Sequence, residues 1–217
     1  MLRIGNLRSR LFGPISLDVA TGECIALRGA SGSGKSLLLR AIADLDEADG
    51  DVTLDGVSRN AMSGWQWRKR VALVPAQAGW WDDRVDAHFP LTRSTAAHAD
   101  ALPALLDELG LPSDAIGWRV DRLSTGEAQR LAIARAILGE PRVLMLDEPG
   151  AALDVAANAR VEGLIERLRD SGTMLLVVTH DDAQARRIAQ RRFRLADGVL
   201  HDDAHIETVE TPSREGR

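Results

Sequence analysis

The chain has 217 residues, with 27 Lys and Arg against 32 Asp and Glu and a formal net charge of −5. That balance excludes the basic excess of a duplex-binding surface. Its 45% apolar and 27% charged content are those of a globular chain long enough for one domain with a real core. No apolar run approaches the roughly 18 residues of a membrane span, and Met1 to Asn6 show no signal-peptide hydrophobic stretch. The chain is therefore expected to be soluble. A single cysteine, Cys24, leaves no internal disulfide and reads as a small buried hydrophobe.

Residues 1–23 read as short strands, with turns at Gly13-Pro14 and Thr21-Gly22. The apolar run Cys24 to Leu27 predicts a strand and leads into Gly29-Ala30-Ser31-Gly32-Ser33-Gly34-Lys35-Ser36. Leu37 and the apolar residues after it predict a helix from Ser36 to about Asp44. Strand, glycine-rich turn and helix together suit a triphosphate. The glycines let backbone amides converge on anionic oxygens, and the helix start adds its dipole and free N–H groups. Lys35 can reach the outer phosphates, and the Ser36 hydroxyl can sit on the accompanying magnesium.

Gly50 to Gly56 predicts a strand with an Asp-Gly turn, and Arg70 to Pro75 another that delivers Gln77 at its end. From Ala78 to Glu140 a Trp- and Asp-rich loop gives way to Ala-rich helical sequence. One helix is expected over Ala99 to Leu109 and a second from near Ser124. This third of the chain reads as a helical subdomain inserted in an α/β core. From Pro141 the alternation resumes. Arg142 to Asp147 reads as a buried parallel strand ending in acid, and Asp154 as the cap of a helix to Arg169. Thr173 to Thr179 is a further buried strand with His180 at its end, then come a helix capped by Asp181 and a closing strand from Arg191. The expected division is one domain over 1–200, with core parts 1–77 and 141–200 and helical part 78–140, then a polar, unstructured tail from His201.

Asp147-Glu148 is the second chemical signal. An acid at a strand tip opposite a phosphate loop can hold magnesium, and its neighbour can polarise an attacking water; Asp-Glu-Pro is also good turn chemistry. Leu123-Ser124-Thr125-Gly126-Glu127 reads by itself as a capping box, since Glu127 lies three residues after Ser124.

The order of these features resembles the ATP-binding cassette (ABC) ATPases over roughly Leu2 to Leu200. The resemblance implies a P-loop NTPase core of mixed sheet flanked by helices, with an N-terminal antiparallel β part. In it Gly29 to Ser36 looks like Walker A, with Leu37 where a hydroxyl residue is usual, and Val143 to Asp147 looks like the Walker B strand. Gln77 looks like the Q-loop glutamine, meeting magnesium and the attacking water. Glu148 stands at the catalytic base, His180 at the switch histidine, and Ala152-Leu153-Asp154 at the D-loop. Ser124, Gly126 and Glu127 match the signature, with Thr125 for its first Gly and Glu127 for its Gln. ATP, with magnesium on Ser36, Gln77 and Asp147, would be sandwiched in a head-to-tail homodimer that drives a separate polytopic membrane subunit from its cytoplasmic face. No nucleic-acid partner is expected.

No tyrosine is present, and the adenine-stacking aromatic has no clear counterpart. Phe12 falls too late, and Arg8 or Arg10 could substitute. Trp80-Trp81 suits a partner surface or ordinary burial alike. Arg186, Arg187, Arg191, Arg192 and Arg194 read as a solvated basic face. The segment Ala78 to Asp121 looks most like that of small metal-export cassettes. A soluble ABC ATPase acting on DNA or ribosomes, or a regulatory subunit with little turnover, remains the alternative.

Overall fold

A computed structural model describes residues 1–89 and 96–203. Glycine-rich and Asp-Gly turns separate short alternating strands into a four-stranded antiparallel sheet. Its members are β1 (Leu2–Arg8), β2 (Ile15–Val19), β4 (Asp49–Leu54) and β5 (Val57–Ser58), ordered β2-β1-β4-β5. The uniformly apolar runs build the second sheet, as buried parallel strands do. It contains β3 (Cys24–Arg28), β6 (Val71–Val74), β7 (Val143–Asp147), β8 (Met174–Val178), β9 (Arg191–Ala196) and β10 (Val199–Asp202), in the order β10-β9-β3-β8-β7-β6. All neighbours pair in parallel except β10, which returns antiparallel on β9.

The α-helices are α1 (Lys35–Ile42), α2 (Gly64–Arg70), α3 (Ala96–Glu108), α4 (Thr125–Ile137), α5 (Val155–Asp170) and α6 (Asp182–Ile188). One face of the six-stranded sheet packs with α1 and the antiparallel sheet into a core that includes Leu39, Ile42, Val52 and Leu176. Its other face meets α3 to α6 through residues such as Leu106, Leu131, Leu164 and Ile188. Cys24 lies in that second core, and burial pushes its thiol up to about 12, so it is inert as a nucleophile.

Two elements depart from the sequence reading. Helix α2 has only Trp67 buried among its own residues, so no apolar period announces it. Its role is local: the Trp67 indole donates to the Ile42 carbonyl at 2.9 Å, next to Arg59 of the 3-10 turn before the helix, which donates to Ala41 at 2.6 Å. The first satisfies a carbonyl that the end of α1 leaves open, and the second adds a bond to the Ala41 carbonyl, which also accepts from the Asp44 amide at 3.2 Å. The chain also stays ordered past the expected tail boundary at His201. His201 and Asp202 pair in β10, and Asp203 is buried because Arg28 donates to its carboxylate at 2.5 Å. The remainder of the expected tail lies outside the described residues. Among the described residues, no helix is long and apolar enough to cross a membrane.

Candidate functional site

Adjacent strands bring the sequence-predicted residues to one edge. Because β3, β8 and β7 are parallel neighbours, their carboxyl ends deliver Gly29 to Ser36, His180 and Asp147-Glu148 side by side. Ligands of open α/β sheets bind at such carboxyl ends.

The glycine loop is held by stereochemistry. Gly29 has φ +146°, and a Cβ there would stand 2.3 Å from the Leu195 carbonyl oxygen. Gly34, at φ +99°, precedes α1, and no side chain caps that helix. The amides that open α1 are thus free for an anion. Lys35 is buried, and its ammonium donates to the carbonyls of Gly29 at 2.9 Å and Ala30 at 2.8 Å. Desolvation holds it below the usual lysine range, against the upward pull of Glu148 and Asp147. A phosphate would supply a charged hydrogen-bond acceptor to a lysine whose present acceptors are neutral oxygens.

Asp147 is buried at the end of β7, and burial raises its carboxyl above the ordinary range while the Ser36 hydroxyl bond opposes that rise. Its Oδ1 is buried without a hydrogen-bond partner. An orphaned carboxylate oxygen beside an exposed serine hydroxyl is the donor chemistry of a hard divalent cation such as magnesium, so these residues fit that group.

Glu148 sits at φ +50°, a strained value for a residue with a side chain, and its amide donates to Val178 at 2.9 Å. The twist brings its Oε1 to 2.5 Å from Nε2 of His180. His180 is positioned by its neighbours. The buried Thr179 hydroxyl donates to Gln184 at 2.7 Å, and the Gln184 amide donates to Asn158 on α5 at 2.8 Å. Gln184 and Asn158 carry no sequence signature, because their partner lies 26 positions away.

The remaining predicted residues are more scattered. Gln77 is exposed in the loop after β6, and the buried Gln129 of α4 donates to Pro75 in the same loop at 3.2 Å. Ser124 and Glu127 form the expected capping box on α4: the Ser124 hydroxyl donates to Glu127 at 2.7 Å and accepts from the Glu127 amide at 3.3 Å. These bonds hold the Glu127 carboxyl below its usual range. Asp154 caps α5 through the Ala157 amide at 2.8 Å. The start of α4 rests on the D-loop region, where a Cβ on Gly126 would stand 3.0 Å from the Ala152 carbonyl oxygen.

Phe12 is 4% exposed and packed in the core, so it cannot stack on a base. Arg8 pairs with Asp49 at 3.5 Å. Leu11, which the sequence did not single out, is 61% exposed beside α1 and lines a groove of about 960 Å3 with Arg10 and Leu37. The tryptophans divide. Trp80 packs partly against the second core, whereas Trp81 is 73% exposed, and Arg135 lies over both rings at 4.8 and 5.0 Å.

A family model described as ABC transporter matches residues 12–151. An aliphatic sulfonates import ATP-binding protein, SsuB 1 of Pseudomonas syringae pv. tomato, is 38% identical over 211 residues, covering 92% of this chain and 70% of its own. The SsuB protein of Cupriavidus necator is 40% identical over 197 residues, covering 88% of this chain and 63% of its own. Both names refer to import of sulfonates, where the sequence had suggested metal export. Among solved structures, an ATP-binding subunit of an ABC transporter superposes with a TM-score of 0.85 at 25% identity, covering 92% of this chain and 88% of that one. A dimeric ATP-binding cassette in a post-hydrolysis state, bound to ADP and Pi, superposes at 0.81 and 25% identity, covering 92% and 96%.

Proposed function

This chain belongs to the ABC transporter family of ATP-binding cassettes, and from that premise we propose how its own residues perform the work. It is the ATP-binding and ATP-hydrolysing subunit of a transporter whose membrane part is a separate chain. The observation that carries the proposed mechanism is the Glu148–His180 pair at 2.5 Å, beside a phosphate loop whose lysine donates to neutral oxygens.

Gly29 to Ser36 wrap the phosphates with backbone amides, and Lys35 turns from the Gly29 and Ala30 carbonyls to the outer phosphate oxygens. Ser36 and Asp147, with Gln77, would hold a magnesium ion, which would supply charge neutralisation to the phosphates. Glu148 takes the proton of the attacking water. His180, bridging Glu148 and the terminal phosphate, holds the carboxylate in line and registers loss of that phosphate.

The second half of the site comes from another copy, head to tail. Ser124, Gly126 and Glu127 at the start of α4, with Asp154 nearby, cover the phosphates bound by the first copy. Segment 78–140 serves as the helical signature subdomain. A membrane partner on the cytoplasmic face meets Trp81 and the neighbouring groove of about 290 Å3 lined by Leu45, Arg68, Ala132 and Arg135. The names of the relatives favour aliphatic sulfonates as the cargo class.

Light scattering tests the dimer. In a Glu148→Gln background, ATP should convert monomer to dimer, and adding Ser124→Ala should weaken that dimer about tenfold or more, the loss of a charge-assisted hydrogen bond in each site. Protein that binds ATP yet stays monomeric would overturn the head-to-tail arrangement.

Adenine is held, in this reading, by the exposed Leu11 face rather than by an aromatic ring. Leu11→Tyr should tighten ATP binding roughly two- to tenfold, corresponding to about 0.5–1.5 kcal/mol of added ring stacking. Fluorescence titration of nucleotide reads this; unchanged affinity would place the base elsewhere.

A further inference from the structure

The basic run at the C-terminal end separates into two groups that the sequence could not distinguish. Arg187 forks onto Glu162 with both bonds at 2.8 Å, and Arg191 donates to Glu23 at 3.1 Å and to the Asp18 carbonyl at 3.0 Å. These two are structural. Strand β9 turns Phe193 and Leu195 into the core, so the alternation sends Arg192 and Arg194 to the opposite face. Parallel pairing with β3 sets Arg194 beside Arg28 and Arg192 beside Ala26.

All three arginines line one cavity of about 410 Å3 at the carboxyl end of the sheet, together with Arg186 from α6. The same cavity is lined by Gly29 and Ala30 of the phosphate loop and by His180. Its two acids are already engaged: Arg28 donates to Asp203 at 2.5 Å and pairs with Asp182. Among the described residues no side-chain hydrogen bond or ion pair holds Arg192 or Arg194, and Nε of Arg28 is buried without a partner. The guanidinium groups of Arg192 and Arg194, with the unpartnered Nε of Arg28 and the neighbouring carboxylates already taken, form in this cavity a receptor for a tetrahedral oxyanion.

We propose that this cavity binds inorganic phosphate as it leaves the hydrolytic site past His180, making it a second, product-side anion site. The proposal rests on ATP hydrolysis at the adjoining loop, because that reaction supplies the phosphate. Guanidinium groups close to the exit would lower the cost of moving a doubly charged product away from the magnesium. They would also give the product a place from which to slow its own release.

Equilibrium dialysis with radiolabelled inorganic phosphate tests this on the full chain, with the glycine loop first saturated by a non-hydrolysable ATP analogue. One phosphate per chain should remain bound, and Arg192→Gln/Arg194→Gln should weaken it at least tenfold while nucleotide affinity stays unchanged. Arg194→Gln alone, at an exposed position, provides a milder variant and should weaken phosphate severalfold. No phosphate binding by saturated protein, or binding untouched by the double substitution, would overturn the site. Loss of nucleotide binding in the double variant would likewise overturn it, since the cavity would then not be separable from the triphosphate loop. Ethanesulfonate serves as a rival probe: weaker binding than phosphate supports the product assignment, and tighter binding overturns it. Should the unsubstituted chain fail to hydrolyse ATP while still binding phosphate here, the proposed reaction fails and the anion site stands.

Discussion

Glu148→Gln is expected to lower steady-state phosphate release about a thousandfold, within the roughly 10²–10⁴ attributed to a positioned proton acceptor, while leaving ATP affinity intact. The reason lies in one contact. Glu148 is fixed by its own left-handed backbone and by the 2.5 Å approach of His180, so the amide can occupy the same place without accepting a proton. Among the described residues, no hydrogen bond of the phosphate cradle goes to this side chain, whose effect there is a through-space pull on Lys35 that Asp147 shares. Measuring phosphate release alongside nucleotide titration separates the two effects. Retention of more than a tenth of the activity would mean that another group takes the proton. A parallel fall in ATP affinity would mean that Glu148 contributes to binding as well.

Lys35→Ala should act on the other quantity, weakening ATP about a hundredfold or more through the loss of ~3 kcal/mol of charge-assisted bonding to phosphate. Its effect on the ligand-free fold should be small. The folded state holds this ammonium below its ordinary range by desolvation, so the charge is carried at a cost that the alanine variant no longer bears. Against that stand two bonds to loop carbonyls, which water can replace. The melting temperature without nucleotide should therefore stay within about 3 °C of wild type, the shift expected for less than roughly 1 kcal/mol in a chain this size. The stabilisation that ATP gives the parent should vanish. Undiminished thermal stabilisation by ATP would remove Lys35 from the site.

What the sequence made legible follows how local each feature is. The glycine loop, the Asp147-Glu148 strand tip and the Ser124–Glu127 capping box are each set by residues within a few positions of one another, so spacing alone exposed them. The D-loop cap at Asp154 was visible for the same reason. Leu11 stayed hidden because only the packing of Phe12 into the core leaves Leu11 as the exposed apolar residue of that turn. Gln129 and Gln184 work through contacts across tens of positions, and neither residue type announces itself. The boundary at His201 was misplaced because what keeps that end ordered is Arg28, 175 positions before Asp203. Helix α2 was missed because it buries a single large ring and leaves its charged residues outside.

The close approach of Gly126 to the Ala152 carbonyl has a consequence for how many independent parts the cassette has. Gly126 and Ala152 lie far apart in the chain and belong to two motifs, yet a methyl group on Gly126 would stand only 3.0 Å from the Ala152 carbonyl oxygen and one of them would have to give by a few tenths of an ångström. A tilt of α4 towards α5 would therefore press on the residues leading into α5. From α5 the chain of bonds through Asn158 and Gln184 reaches the base of His180. The N-terminal edge of α4 and the strand end that carries His180 are thus joined by one packing contact and one chain of hydrogen bonds, fewer separate parts than a count of motifs would suggest.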